Sequence, residues 1–197
     1  MHQTFLYLQQ RRTERQIPAN NPISMNRFLN AAIIVATFLL YGCIKEKNQG
    51  ADLKVGDALP TFSVTMNDGS TVSEQSLKEN ISLVMFFHTT CPDCQRTLPE
   101  VQRLYDEYKD SDTVRFVLIS REQEASAIES YWTTNQLNMP YSAQTTREIY
   151  QLFASNRIPR IYISDRNGII QHIYTDDPTP DYKELKSILE DYFQSQN

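Results

Sequence analysis

Apolar residues in this chain gather in runs whose length and spacing change along the sequence, and each change predicts an element. Ile81 to Phe87 reads ISLVMFF, a continuous apolar run of strand length. A strand without alternation is covered on both faces, as in the centre of an α/β sheet. From Cys91 to about Tyr108 the spacing turns helical, with Leu98, Val101, Leu104 and Tyr105 on one side. Val114 to Ile119 (VRFVLI) predicts a second buried strand. Glu122 to Asn135 predicts a helix facing inward with Ala125, Ile128, Tyr131 and Trp132, and a shorter helix over Thr146 to Phe153 leads to Ile158-Pro159. Ile161–Ser164 and Ile169–Tyr174 flank Asp165-Arg166-Asn167-Gly168, a strand-turn-strand signal. Pro180 is expected to open a last amphipathic helix carrying Tyr182, Leu185, Ile188, Leu189 and Phe193. Ahead of all these, Phe62, Val64 and Val72 flank Asn67-Asp68-Gly69, which predicts a hairpin, and Ser73 to Leu77 suits a helical turn. Strand, helix, strand, helix, hairpin and closing helix together predict an α/β fold with a mixed central sheet.

The first forty-odd residues follow a different pattern. Residues 28–41 read FLNAAIIVATFLLY, an apolar run broken only by Asn30 and Thr37 and preceded by Met25, Asn26 and Arg27. Such a run falls short of the ~20 residues a spanning helix needs and suits the apolar centre of a signal peptide. Leu40-Tyr41-Gly42-Cys43 ends it, similar to the bacterial lipobox in which a small residue precedes the cysteine that is lipidated. Residues 25–42 are therefore expected to be a lipoprotein signal peptide and Cys43 the lipidation site, anchoring the protein to a membrane of the cell envelope. The competing reading is an uncleaved anchor with an inert Cys43. Residues 1–24 are polar and precede this complete signal, so translation is expected to start at Met25. Residues 43–53 are polar and lack apolar periodicity, which makes them a tether to a domain over residues 54–197.

Charge narrows the function. The formal net charge is -5, and residues 1–42 carry four arginines against one glutamate, so the remainder carries about -8. An acidic domain without basic clusters repels phosphate backbones, and no nucleic-acid partner is expected. Apolar residues at 40% and aromatics at 11% are enough for a normal core.

The strongest local signal is Cys91-Pro92-Asp93-Cys94, placed after a buried strand and at a helix start. Two cysteines spaced this way in a first helical turn can bring their sulfurs within bonding reach. The helix N-terminus offers unpaired N–H groups and the positive end of the dipole, which favours thiolate over thiol at the first cysteine. Pro92 sits where its missing N–H costs nothing. Cys91 is then the exposed attacker and Cys94 the resolving thiol of a redox-active pair. Three other readings compete. A zinc site needs four ligands, and the histidines are only His2, His88 and His172. A static disulfide closing so short a ring constrains the unfolded chain little. Two unrelated buried cysteines would need no shared chemistry.

The stretch FFHTTCPDC with Leu98-Pro99 and the later Ile158-Pro159 resembles the TlpA/ResA-type thioredoxin-like proteins of bacterial envelopes, within the AhpC/TSA-redoxin superfamily. Val55 to Phe62 (VGDALPTF) resembles the lead-in that those proteins share with peroxiredoxins. The likeness implies a thioredoxin-like fold, a central mixed sheet flanked by helices with an N-terminal hairpin extension, and Pro159 as a cis-proline facing the dithiol. It implies that Ile158 and Pro159 receive a substrate strand and keep metals off the thiols. Thiol-disulfide exchange on disulfide-containing exported proteins, no cofactor and a membrane electron donor follow from the same likeness. Pro99 falls mid-helix, where it should kink the axis.

Two departures qualify the implication. Thr90 stands where the family often has Trp, and Thr97 where it often has an acidic residue, which leaves Asp93 or Glu100 as the substitute internal proton acceptor, against the plainer reading of each as a solvated helix-face carboxylate. Peroxidase chemistry is disfavoured because His88, not Thr, stands three residues before Cys91. A copper chaperone with His88 or His172 as third ligand, or a redox-inert partner module, is the rival of another class. Asp93 beside the thiols disfavours thiolate, which predicts a reducing couple nearer about -270 mV than about -120 mV.

Overall fold

The computed structural model describes residues 52–194. The expected signal peptide, Cys43 and most of the tether lie outside them. The described chain begins with a hairpin, β1 (Ser63–Thr65) and β2 (Thr71–Ser73), paired antiparallel with Val64 opposite Val72. Its turn closes where Asn67-Asp68-Gly69 predicts it: the Gly69 N–H donates to the Met66 carbonyl at 3.0 Å, and Gly69 takes φ 83°, open to glycine. Then follow β3 (Ile81–Phe87), α1 (Pro92–Tyr108), β4 (Val114–Ser120), α2 (Ala125–Thr134), β5 (Tyr141–Ser142), α3 (Glu148–Gln151), β6 (Arg160–Ser164), β7 (Ile170–Tyr174) and α4 (Tyr182–Gln194).

Strands β3 to β7 form one mixed sheet in the order β5-β4-β3-β6-β7. β3 is central: parallel to β4 on one side, antiparallel to β6 on the other, and buried at all seven positions. That doubly covered position is why ISLVMFF lacks alternation. Helices supply the cover with the stripes their spacing dictates: Leu98, Val101 and Leu104 on α1, Ile128 and Trp132 on α2, and Leu185, Ile188 and Leu189 on α4.

Both sheet edges are covered. At β5, the Asn67 N–H donates to the Tyr141 carbonyl at 2.7 Å and the Tyr141 N–H to Asn67 Oδ1 at 2.9 Å, so the hairpin seals that edge. At β7, the segment Gly56–Leu59 runs alongside, with Gly56 and Ile170 N–H groups each donating at 2.8 Å across the gap.

Several boundaries differ from the sequence pattern for local reasons. Glu122 takes φ 57° and breaks the chain ahead of α2, so the helix starts at Ala125, which is exposed rather than inward. Ser73 to Leu77 forms hydrogen-bonded turns, the two serines bonding each other's backbone instead of extending a helix. Pro180 lies outside α4, because Asp181 Oδ1 accepts the Glu184 N–H at 2.9 Å and caps the helix. Asp52 and Leu53, expected in the tether, already belong to the folded unit: the Leu53 N–H donates to the Phe153 carbonyl at 2.9 Å. No helix among the described residues is long and apolar enough to cross a membrane.

Candidate active site

The register puts three loops at one end of the sheet. β3 and β4 both finish there, with Phe87 opposite Ser120, and β6 begins there, with Arg160 opposite Phe86. The loop 88–91, the loop 121–124 and the segment 156–159 therefore meet.

Cys91 is the N-cap of α1, with extended backbone at φ -80° and ψ 121°, and Pro92 follows at the first helical position. The Gln95 N–H donates to the Cys91 carbonyl at 2.9 Å, closing the first turn. The Cys91 sulfur is half-buried and donates to the Ile158 carbonyl at 3.5 Å. The Ile158-Pro159 peptide bond is cis. Cys94, one turn on, is buried and has the Cys91 thiol as a hydrogen-bond partner. Burial pushes the Cys94 thiol far above its ordinary range; a backbone hydrogen bond from His88 and the positive charge of Arg121 oppose the shift without cancelling it. Cys91, Cys94, Ile158 and Pro159 thus stand together, both thiols free.

The stretch leading to Cys91 is held by residues the sequence pattern does not single out. Thr89 is buried, and each of its polar groups is satisfied by a glutamine side chain. Its N–H donates to Gln123 Oε1 at 3.0 Å, its hydroxyl oxygen accepts from Gln123 Nε2, and its carbonyl accepts from Gln95 Nε2 at 2.7 Å. On the other side of the site the Tyr150 hydroxyl donates to the carbonyls of Asn156 and Arg157. Arg157 is held at φ 68°, directly before Ile158. Gln123 is 34 positions from Thr89, and Tyr150 sits in a four-residue helix, so neither contact leaves a periodic trace.

The two candidate proton acceptors are engaged elsewhere. Asp93 pairs with Arg96 on the exposed side of α1. Glu100 Oε2 accepts from Arg103 at 3.2 Å and from the Tyr182 N–H at 3.0 Å, tying α1 to α4. Thr97, in the position where the resemblance leads one to expect an acid, is buried and donates its hydroxyl to the Asp93 carbonyl at 2.8 Å. The thiols therefore have no carboxylate aimed at them by these three positions, and the charge of Asp93 is turned toward Arg96.

The histidines do not complete a metal set around the thiols. His88 Nδ1 is occupied by the Thr90 N–H at 3.2 Å and the Thr90 hydroxyl at 3.0 Å. His172 lies on β7 opposite Ile163, which is itself opposite Leu83, two strands away and toward the far end of β3. Among the described residues no three His, Cys, Asp or Glu side chains form a metal-binding group.

The chain is similar over most of its length to proteins named for thiol-disulfide chemistry. It is 27% identical over 195 residues to thiol-disulfide oxidoreductase ResA of Oceanobacillus iheyensis, covering 96% of this chain and 99% of that one. In structure it superposes on StoA of Bacillus subtilis with a TM-score of 0.57 and 23% identity, covering 66% of this chain and 98% of that one. A thiol:disulfide interchange protein of the thioredoxin family from Chlorobium tepidum gives a TM-score of 0.59 at 23% identity, over 71% of this chain and 97% of that one. These neighbours place the architecture as thioredoxin-like. The AhpC/TSA family matches residues 55–173, more than half of the chain, and the protein belongs to that family.

Proposed function

We propose that this protein is a thiol-disulfide oxidoreductase that reduces disulfides of exported proteins through Cys91 and Cys94. The observation that carries the reading is the pairing of a half-buried helix-cap thiol, resting on the Ile158 carbonyl, with a buried thiol hydrogen-bonded to it one turn later. Cys91 attacks a substrate disulfide as thiolate, forming the Cys91–substrate bond and expelling the other substrate sulfur as thiolate. Cys94 then attacks the Cys91 sulfur. The internal disulfide forms, the second substrate thiol leaves, and two electrons have passed to the substrate. The segment Ile158-Pro159 faces the attacking sulfur and is positioned to receive the substrate backbone beside it.

Burial of Cys94 supports the reducing direction. A strongly oxidising couple needs its reduced form stabilised as thiolate, and at the buried sulfur burial works against ionisation. Asp93 contributes less than its sequence position implies, since Arg96 offsets its charge. A donor dithiol must recharge the pair, and a membrane electron donor fits a protein held to the envelope through lipid on Cys43. The signal-like residues 25–42 support that location.

Insulin reduction by the domain and by Cys91→Ser and Cys94→Ser variants tests the activity: turnover in the parent and its loss in both variants is expected. Titration against glutathione tests the direction, and a midpoint above about -180 mV would remove the reductase reading. Radiolabelled palmitate incorporation that persists in Cys43→Ala would remove the anchor.

A further inference from the structure

Ile158 and Pro159 lie on a segment whose two ends, Ser155 and Arg160, are gripped by a single carboxylate. That carboxylate belongs to Asp52, 103 positions before Ser155 and within the stretch that the sequence pattern assigns to the tether. Asp52 Oδ1 accepts the Ser155 N–H and the Ser155 hydroxyl, each at 2.8 Å. Asp52 Oδ2 accepts from Arg160 Nη2, and the same nitrogen donates to the Asn156 carbonyl at 3.3 Å. Next to Asp52, the Leu53 N–H donates to the Phe153 carbonyl at 2.9 Å and docks the chain beside the segment. The Arg160 side chain is 8% exposed, and Asp52 is the one carboxylate paired with it among the described residues. Arg160 Nε is buried and has no hydrogen-bond partner among them. A buried guanidinium is costly without its anion, so loss of Asp52 would drive Arg160 toward solvent and off the Asn156 carbonyl. The Ser155 N–H would lose its acceptor in the same event. Two residues beyond Asn156 stands Ile158, whose carbonyl accepts from the Cys91 sulfur at 3.5 Å.

We propose that Asp52 is a positioning residue for the substrate-facing segment, one carboxylate oxygen holding Ser155 and the other Arg160, so that the Ile158 carbonyl stays beside Cys91. The inference rests on the thiol-exchange reading and adds to it a part contributed from outside the three loops that meet at the sulfurs. Tyr150 grips the same segment differently, its hydroxyl donating to the Asn156 and Arg157 carbonyls. The two clamps divide the work: Tyr150 fixes the middle of the segment and Asp52 fixes its ends. A protein substrate needs that segment, because its backbone must lie against it. A small disulfide needs only the Cys91 sulfur. Asp52 therefore bears on how a protein disulfide is held, more than on exchange at the sulfur.

The test measures insulin reduction and, beside it, the first release of coloured thiolate from dithiobis-nitrobenzoate, using the whole chain and its variants. Asp52→Ala is expected to raise KM for insulin about fivefold while kcat stays within about twofold of the parent. The rate with the small disulfide should change by less than about twofold. Asp52→Asn keeps an oxygen for Ser155 but removes the charge that Arg160 needs, so its KM should fall between the parent and Asp52→Ala. It also keeps the test decisive if Asp52→Ala fails to fold. Amide exchange reports the cause: in Asp52→Ala the Ser155 N–H should lose protection while the Leu53 N–H, bonded to Phe153, keeps it. An unchanged KM for insulin in both variants, or an equal loss with insulin and with the small disulfide, overturns the role of Asp52. A parent that does not reduce insulin instead overturns the exchange reading itself, whatever the variants do.

Discussion

Replacing Gln123 by Leu removes the clamp on the loop that carries Cys91 while keeping a side chain of similar length. Three consequences can be sized from the structure. The Thr89 N–H, buried and bonded only to Gln123 Oε1 at 3.0 Å, is left without a partner, at a cost of about 1–3 kcal/mol. The bond from Gln123 Nε2 to the Thr89 hydroxyl is lost as well, for roughly 1 kcal/mol. Relief from burying an amide returns part of this, since Gln123 is 6% exposed and Leu is at home there. The net expectation is about 2 kcal/mol, or a fall in Tm of roughly 4–8 °C for a domain of this size.

Urea unfolding of the dithiol form measures the first number directly. Thr89→Val removes only the hydroxyl, so the Thr89→Val/Gln123→Leu double variant should lose less than the two singles together, with about 1 kcal/mol of coupling. Because Gln95 still holds the Thr89 carbonyl, the fold should survive and the defect should centre on the site. Amide exchange at Thr89 should accelerate, and the first exchange step at Cys91 should slow several-fold. A Gln123→Leu protein within about 0.5 kcal/mol of the parent, with Thr89 still protected, would refute the idea that this amide pair orders the loop.

Other perturbations have equally definite outcomes. Tyr150→Phe keeps the ring between Phe86 and Arg121 but leaves the Arg157 carbonyl without this donor and the Asn156 carbonyl with Arg160 alone at 3.3 Å; a loss of about 1–2 kcal/mol is expected in urea, with KM for insulin rising more than kcat falls. Trp132→Phe removes the Nε1–H bond to the Met139 carbonyl at 2.9 Å and part of the packing on Phe87 and Tyr141, and should cost about 2–3 kcal/mol by the same measurement. Asp52 is pushed up by burial but held lower overall by the Ser155 N–H, the Ser155 hydroxyl and Arg160. A folded value depressed below the ordinary 3.8 means that its stabilisation is present above that pH and fades as pH falls further. Asp52→Asn should therefore be less stable than the parent at neutral pH by under about 1 kcal/mol, allowing for solvent screening, and the gap should close in acid titration.

How much of this was legible depends on the range of the interaction that fixes each feature. β3 announces itself because its seven consecutive buried positions are all apolar but Ser82, and α1 because Leu98, Val101 and Leu104 recur at helical spacing. The dithiol is legible for a related reason: both cysteines lie within one turn, so local geometry alone brings them together. The hairpin follows from one glycine that tolerates positive φ. β5 escapes because two residues carry no period and exist as a strand only through β4 and the hairpin. The start of α2 is misplaced because Glu122 adopts left-handed backbone among tertiary contacts that helix propensity does not register.

Every element of the site that escapes the sequence pattern is a polar contact that no hydrophobic period records: Thr89 with Gln123 and the Arg121 N–H with the Phe87 carbonyl, each 34 positions apart, and Tyr150 with the carbonyls six and seven positions on. These contacts share a physical purpose. The loops at this end of the sheet must leave the sheet ladder to expose a reactive sulfur, and leaving the ladder strands their backbone groups in a buried setting. Side-chain and backbone groups from neighbouring segments then take up those groups. An amide clamps the loop before Cys91 and a phenol clamps the segment that faces it. The backbone N–H of Arg121 takes the Phe87 carbonyl, and the N–H of that same peptide unit reaches Cys94. The chemistry is thus carried by two sulfurs that sequence spacing reveals, and their alignment by hydrogen bonds that only the folded chain can bring together.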